Sequence, residues 1–281
     1  MTHTLLSLGH GYAAAAAVTA QPAGWQVLAT TRNPDRARDF AAQGLEPVLW
    51  TEPGALPAAL ARASHLLIST PPGPEGCPAL AALADAPAPA LRWAGYLSAS
   101  SVHGDSGGAW VTDLDPARPD SPRGRARLAA EEGWEAWCAA RGAGLARIRV
   151  AGIYGPGRSV FDQIAAGRAR RIEKPGQVFN RIHVADLGAI IAAAAARMAT
   201  GPILAADGAP APPQDLLDHA CDLMGRPRLP TLPFETADIS PMARSFYSES
   251  KRLRPTRLAE LGVTLRYPSW REGLAALRPG A

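Results

Sequence analysis

Short apolar runs alternate with segments of helical spacing through the first half of this chain. Thr4–Leu8, Gln26–Thr31, Pro47–Trp50, His65–Thr70, Trp93–Ser98 and Leu145–Ala151 are compact and apolar, the pattern of strands buried on both faces. Between them, Tyr12–Thr19, Pro34–Gln43, Gly54–Arg62, Pro78–Ala84 and Arg125–Arg141 place apolar residues at helical intervals. Asn33-Pro34 adds a start signal, since Asn caps a helix and Pro fits its first turn. Such alternation predicts βαβ units and a parallel sheet. After Gly155 the pattern loosens. Val160–Ala166, Asp186–Met198 and Asp215–Met224 read as helices, Ile203–Ala206 as a short strand, and Pro227–Ala281 as Pro-rich and mixed. The Pro210–Pro213 cluster marks a loop.

The junction of the first strand and first helix carries the first candidate chemistry. In Leu8-Gly9-His10-Gly11-Tyr12-Ala13-Ala14, the residues Gly9, Gly11 and Ala14 fit the dinucleotide fingerprint G-x-G-x-x-G/A. The first Gly permits a tight turn, the second lets backbone approach a pyrophosphate, and the third small residue lets helix and strand pack closely. The helix N-terminus supplies N–H groups and a positive dipole end to phosphate. The expectation is therefore α/β: a doubly wound parallel (Rossmann) sheet with a smaller C-terminal α/β substrate-binding part. Residues 1–155, completed by about 182–207, form the dinucleotide-binding core, and 156–181 with 208–281 the smaller part.

The end of the second strand bears on which dinucleotide. NAD sites favour an acid there, bonded to the ribose 2′-hydroxyl. Here the strand runs into Thr31-Arg32-Asn33, with Arg36 one helical turn on, so a 2′-phosphate is the better match and NADP is expected over NAD. Gly9, Gly11, Tyr12, Arg32 and Asn33 are the expected cofactor contacts at this corner. Thr70 and Pro71, at the end of the fourth strand, are expected at the edge of the nicotinamide-side cleft.

Composition narrows the partners. The 281 residues carry a formal charge of +4, and only two of the 29 Lys and Arg residues are lysines. The densest basic groups, Arg123-Arg125-Arg127 and Arg168-Arg170-Arg171, are too short for a nucleic-acid stripe. Small anions or solubility explain the charge better. Cys77, Cys138 and Cys221 form neither a disulfide framework nor a metal spacing. The chain starts without a signal-peptide pattern, and its Ala13–Val18 run is too short to span a bilayer. A cytoplasmic protein with no metal, no membrane partner and no nucleic-acid partner is expected.

Three further segments resemble the short-chain dehydrogenase/reductase superfamily in its extended or atypical branch, the NAD-dependent epimerase/dehydratase type. They are Tyr96–Asp105, Arg147–Arg158 and Arg181–Leu187; Ser248–Arg252, Glu260–Gly262 and Tyr267-Pro268 also look like that family's C-terminal region. The resemblance implies hydride transfer aided by Ser/Thr, Tyr and a Lys four residues later. Aligned on Leu128-Ala129-Ala130-Glu131, the Tyr position holds Arg123 and the Lys position Arg127, while the Ser/Thr position falls on Ala99 between Ser98 and Ser100. Arginine stays protonated near neutral pH and is a poor proton shuttle. No catalytic residue is assigned from the sequence; Tyr96, His103 and Tyr154 are candidate stand-ins. Ser98 and Arg127 are expected on the cofactor, and Ser100, His103, Arg123, Arg158 and Arg181 on the substrate, with Arg149 near the pocket. His183 and Asp186 are read as organising a helix start. The resemblance also implies a homodimer through two helices per subunit, one being Arg125–Arg141. Two functions follow: an NADP-dependent oxidoreductase or epimerase-like enzyme on a small polar, anionic substrate, or a non-catalytic NADP-binding sensor or scaffold.

Overall fold

The structure is a computed structural model, and it describes residues 3–279. Seven parallel strands build its sheet: β1 (Thr4–Leu8), β2 (Gln26–Thr31), β3 (Glu46–Leu49), β4 (His65–Ile68), β5 (Trp93–Ala99), β6 (Gly144–Val150) and β7 (Gly201–Ala205). Their order across the sheet is β7-β6-β5-β4-β1-β2-β3. The strand order reverses next to β1, where β4 lies on one side and β2 on the other. In open α/β sheets that reversal opens a crevice at the carboxyl ends of the strands.

Helices cover both faces. They are α1 (Tyr12–Thr19), α2 (Pro34–Ala42), α3 (Ala55–Arg62), α4 (Pro78–Ala82), α5 (Pro122–Ala139), α6 (Val160–Ala165), α7 (Val184–Ala196), α8 (Pro213–Leu223), α9 (Pro241–Ser245) and α10 (Trp270–Leu277). Because side chains alternate along a strand, Leu5 and Leu67 bury into one core with residues of α1 and α7. Leu6, Leu8, Leu66 and Ile68 bury into a second core with residues of α3 and α5. Trp134 and Trp137 sit in that second core, edge to face at 5.3 Å, so they are packed within the chain itself. The abundance of alanine has a local use here. On α7, a Cβ added to Gly188 would lie 2.5 Å from the Ala16 carbonyl oxygen of α1, so the two small-residue helices meet nearly backbone to backbone.

The later half adds what the loose pattern did not reveal. Three-residue strands pair in parallel as Gly152–Tyr154 with Arg181–His183, Arg171–Glu173 with Thr231–Pro233, and Trp110–Thr112 with Arg252–Arg254. A third core gathers Phe161, Leu217, Trp270 and Leu274 from α6, α8 and α10. Leu253 and Leu261, placed by sequence in the smaller part, are buried in the first core instead. Helix α5 starts three residues earlier than expected, at Pro122 behind the Ser121 cap.

Candidate functional site

The crevice at the carboxyl ends of the strands is a cleft of about 1100 Å³, reaching from Gly9, Gly11 and Tyr12 past Ser98–Ser101 to Arg181 and Lys251. Its first wall is the Gly9–Gly11 turn. Gly9 has φ +78°, and a Cβ there would sit 2.9 Å from Thr70 Cγ2. The turn is tied down by Gly9 N–H donating to Thr30 Oγ1 at 2.8 Å, and Ser69 Oγ donates to the Gly9 carbonyl. Gly11 caps α1 with no side-chain bond, so the first-turn N–H groups face the cleft without a competing acceptor of their own chain's cap. This is the cradle that a phosphate needs.

At the end of β2, Arg32 is exposed, and Arg36 donates from Nη2 to the His10 carbonyl at 2.9 Å, lying across the turn. Asn33 is spent on structure: its Oδ1 accepts from Asp35 N–H and caps α2. His10 is buried against Phe40 and bonded to Ser7, and burial followed by Arg36 pulls its pKa down to about 4. On the far side of the turn, Thr70 packs on Gly9 and its Oγ1 has no partner; Pro71 is exposed and outside the cleft lining.

The second wall is the end of β5 with the start of α5. Arg127 donates from Nη1 to the Leu97 carbonyl at 2.9 Å and to Tyr96 Oη at 3.2 Å, which fixes its guanidinium at the cleft. Ser98 and Ser100 line the cleft, Ser98 with a buried unpartnered hydroxyl. Arg123 stacks on Phe246 at 4.2 Å, and Arg158 stacks on Tyr12 at 4.7 Å, so these expected contacts meet at the rim. Arg181 is buried in the inner wall, donates to the Phe179 carbonyl at 3.2 Å, and desolvation brings its pKa to about 10. Nearby, Asp207 is buried with Oδ2 unpartnered, and burial raises it to about 7.

The stand-in acids and bases divide: Tyr154 lines the cleft, while His103 and Tyr96 do not. His103 does not line the cleft. It is buried with Nε2 3.3 Å from Arg149 Nη1, and burial followed by Arg149 pulls its pKa down to about 4. Arg149 is likewise held back from substrate by a bidentate bond to buried Glu131, at 2.8 Å and 3.2 Å. Tyr96 is sealed under Arg127 and burial pushes it up to about 12. Tyr154 lines the cleft, but its buried hydroxyl lies against Gly273 of α10 without a hydrogen-bond partner, and burial raises its pKa. His183 Nδ1 caps α7, and Asp186 accepts from Arg266 and Tyr267 N–H, both organising turns.

Sequence reading missed a charged pair that lines the cleft. Glu249 and Lys251 both line it, with Lys251 Nζ 2.6 Å from Glu249 Oε2. The available signal was a lysine in a chain whose cations are nearly all arginine. The charged lining is one-sided: Arg123, Arg127, Arg158, Arg168, Arg170, Arg181 and Lys251 against the single carboxylate of Glu249. Among the described residues no group of His, Cys, Asp or Glu is placed to hold a metal, and no helix is long and apolar enough to cross a membrane. All three cysteines are free and buried.

No protein-family model and no curated protein matches the sequence. Solved structures do. A functionally unknown conserved protein from Silicibacter pomeroyi is 48% identical, covers 99% of this chain and 98% of its own, and superposes with a TM-score of 0.86. MoeE5 in complex with UDP-glucose and NAD is 22% identical over 97% of this chain and 96% of its own, TM-score 0.74. Human epimerase family protein SDR39U1 with NADPH is 16% identical over 99% of this chain and 100% of its own, TM-score 0.74. The last two carry the fold argument alone. The chain thus belongs to the family of the Silicibacter pomeroyi protein, and it shares its fold with MoeE5 and the human epimerase family protein.

Proposed function

We propose that this chain binds a nicotinamide dinucleotide, NADP in preference to NAD, and uses the arginine-lined cleft for a small anionic substrate in an oxidoreductase or epimerase-like reaction. The observation that carries the reading is the Gly9–Gly11 turn, which opens onto the cleft with Arg36 across it and Arg32 exposed beside it. Proteins of this fold bind either dinucleotide, NAD in MoeE5 and NADPH in the human protein. The corner's charge favours the extra phosphate here: Arg32 follows β2 where an NAD site favours an acid, and the next acid in sequence, Asp35, is paired with Arg38. The dinucleotide, when bound, supplies or accepts hydride. Gly9, Gly11 and Tyr12 hold its phosphates, Arg32 with Arg36 its 2′-phosphate, and Ser98 with Arg127 its nicotinamide-side ribose. Seven cations against one carboxylate suit a substrate with a carboxylate or phosphate, with Arg181 the buried anchor.

One observation favours a non-catalytic reading as the alternative: Arg123 occupies the acid–base position and is engaged on Phe246. Fluorescence titration with NADPH and NADH separates the cofactor claims. NADPH binds tighter to the wild type, and Arg32→Glu costs NADPH about tenfold or more while NADH changes little. Equal loss of both, or none of either, overturns the NADP assignment.

A further inference from the structure

The positions that handle protons in the resembled family carry arginines here, yet the cleft holds a paired acid and amine. Glu249 presents both carboxylate oxygens inward: Oε2 accepts from Lys251 Nζ at 2.6 Å, and Oε1 accepts from Ser121 Oγ at 2.7 Å. Ser121 is the cap of α5, two residues before Arg123. The pair therefore stands at the mouth of the helix that carries the Tyr and Lys positions.

Its placement is over-determined. Gln177 Nε2 donates to the Glu249 carbonyl at 2.7 Å, Asn180 Nδ2 to the Lys251 carbonyl at 2.9 Å, and Ser250 N–H to Asp105 Oδ1 at 2.8 Å. Segments far apart in the chain thus clamp a three-residue stretch. The two side chains are only 7% and 12% exposed. A buried ion pair is weak evidence of stability, since apolar packing does as well, so the arrangement calls for another use. An ammonium has three N–H donors, and Glu249 is the only acceptor that Lys251 Nζ meets among the described residues. The other two are left for the cleft it lines.

We infer that Lys251, oriented by Glu249, is the cleft's proton donor to the substrate oxygen, in place of the family's Tyr. The inference rests on the dinucleotide reading above. In the reducing direction the carbonyl carbon gains a C–H bond from hydride supplied by the reduced nicotinamide, which is oxidised. The oxygen gains an O–H bond as one Nζ–H bond of Lys251 breaks. The neutral amine then regains its proton from solvent.

Two measurements on the full-length protein test this. The first needs no dinucleotide. Glyoxylate, an anionic aldehyde, is added at alkaline pH, where lysine side chains lose a proton and gain the lone pair that attacks the aldehyde with loss of water, and cyanoborohydride reduces the imine to a carboxymethyl-lysine; peptide mass spectrometry then assigns the adduct. With only two lysines in the chain, assignment is direct. Modification of Lys251 is expected; modification of Lys174 or the N-terminus without Lys251 overturns the inference. The second uses NADPH with a panel of carboxylated and phosphorylated carbonyl compounds. Lys251→Met is expected to lower kcat about a hundredfold or more with NADPH affinity unchanged. Because that variant strands a buried carboxylate, the double variant Glu249→Gln with Lys251→Met is made alongside, and NADPH binding reports its fold. Undiminished turnover in either folded variant overturns the inference. So does a wild type that binds NADPH but reduces nothing, a result that leaves the dinucleotide reading standing. A wild type that binds no NADPH overturns that reading and this one with it.

Discussion

The two walls of the cleft are built in opposite ways. The dinucleotide corner is local: β1, the Gly9–Gly11 turn, α1 and the end of β2 lie within the first 36 residues, and Thr30 Oγ1 fastens the turn to its neighbour strand. The substrate wall is assembled at a distance: Ser121 meets Glu249 across 128 residues, and Ser250 meets Asp105 across 145. A corner made by neighbouring strand ends needs little beyond the sheet to form. The far wall exists only once the whole chain has folded, and it draws on buried charge that the sheet does not require.

The contrast can be broken or sharpened experimentally, starting with the largest effect. Behind the second wall, Glu131→Ala leaves Arg149 buried without the carboxylate that holds it, and roughly 3–5 kcal/mol of stability is expected to be lost. Urea denaturation measures it. A loss no larger than that of an exposed variant such as Glu132→Ala would mean the buried charges of that wall are not coupled to folding.

Next comes acidity, read through three buried imidazoles: His10 in the turn, His103 behind the second wall, and His65 at the start of β4, away from the cleft. Burial holds His10, His65 and His103 down to about 4, below the usual value near 6.5. Between those limits the unfolded chain binds three protons that the folded chain refuses, so this stability is complete above pH 6.5 and is lost as pH falls through 4. Asp207, pushed up to about 7 by burial, acts with the opposite sign: between about 4 and 7 the folded chain keeps a proton that the unfolded chain gives up. The net is about two protons, or on the order of 2–3 kcal/mol per pH unit in mid-window. Denaturation midpoints that stay flat from pH 6.5 to 4 would contradict the burial of these imidazoles.

The smallest effect belongs to the local corner. Gly9→Ala forces a side chain into φ +78° against Thr70, costing roughly 1–2 kcal/mol. Dinucleotide affinity should fall about tenfold while the Lys251 adduct with glyoxylate persists. Loss of both together would mean that the two walls are not independently formed.

The same contrast governs what could be read in advance. Thr4–Leu8, Tyr12–Thr19 and Gln26–Thr31 match their expected limits, because a short apolar run that ends at a glycine turn or a polar pair, and a helix that starts behind such a turn, are local statements. The start of α5 was read three residues late, since Gly124 is a poor interior helix residue; it is there because Ser101 O lies 2.5 Å from where its Cβ would be. The three-residue strands have no period to show, and their partners lie up to 142 positions away, as in Trp110 with Arg252. Arg149 and His103 carry the right chemistry at the wrong address: only tertiary packing shows that Arg149 turns to Glu131 and His103 to Arg149 instead of the cleft. Glu249 and Lys251 stand out in the sequence only as part of a motif, because the hydroxyl that completes them belongs to Ser121, the cap of α5, 128 residues away.

The approach of α1 to α7 bears on how such a sequence can drift. Gly188 lies where any side chain would meet the Ala16 carbonyl, and Ala16 belongs to the helix whose first turn faces the cleft. A substitution at 188 must move α1 along the sheet. Position 188 lines no part of the cleft, yet among relatives that keep the glycine turn it is expected to stay glycine, because the obstacle is backbone that no side-chain change at position 16 removes.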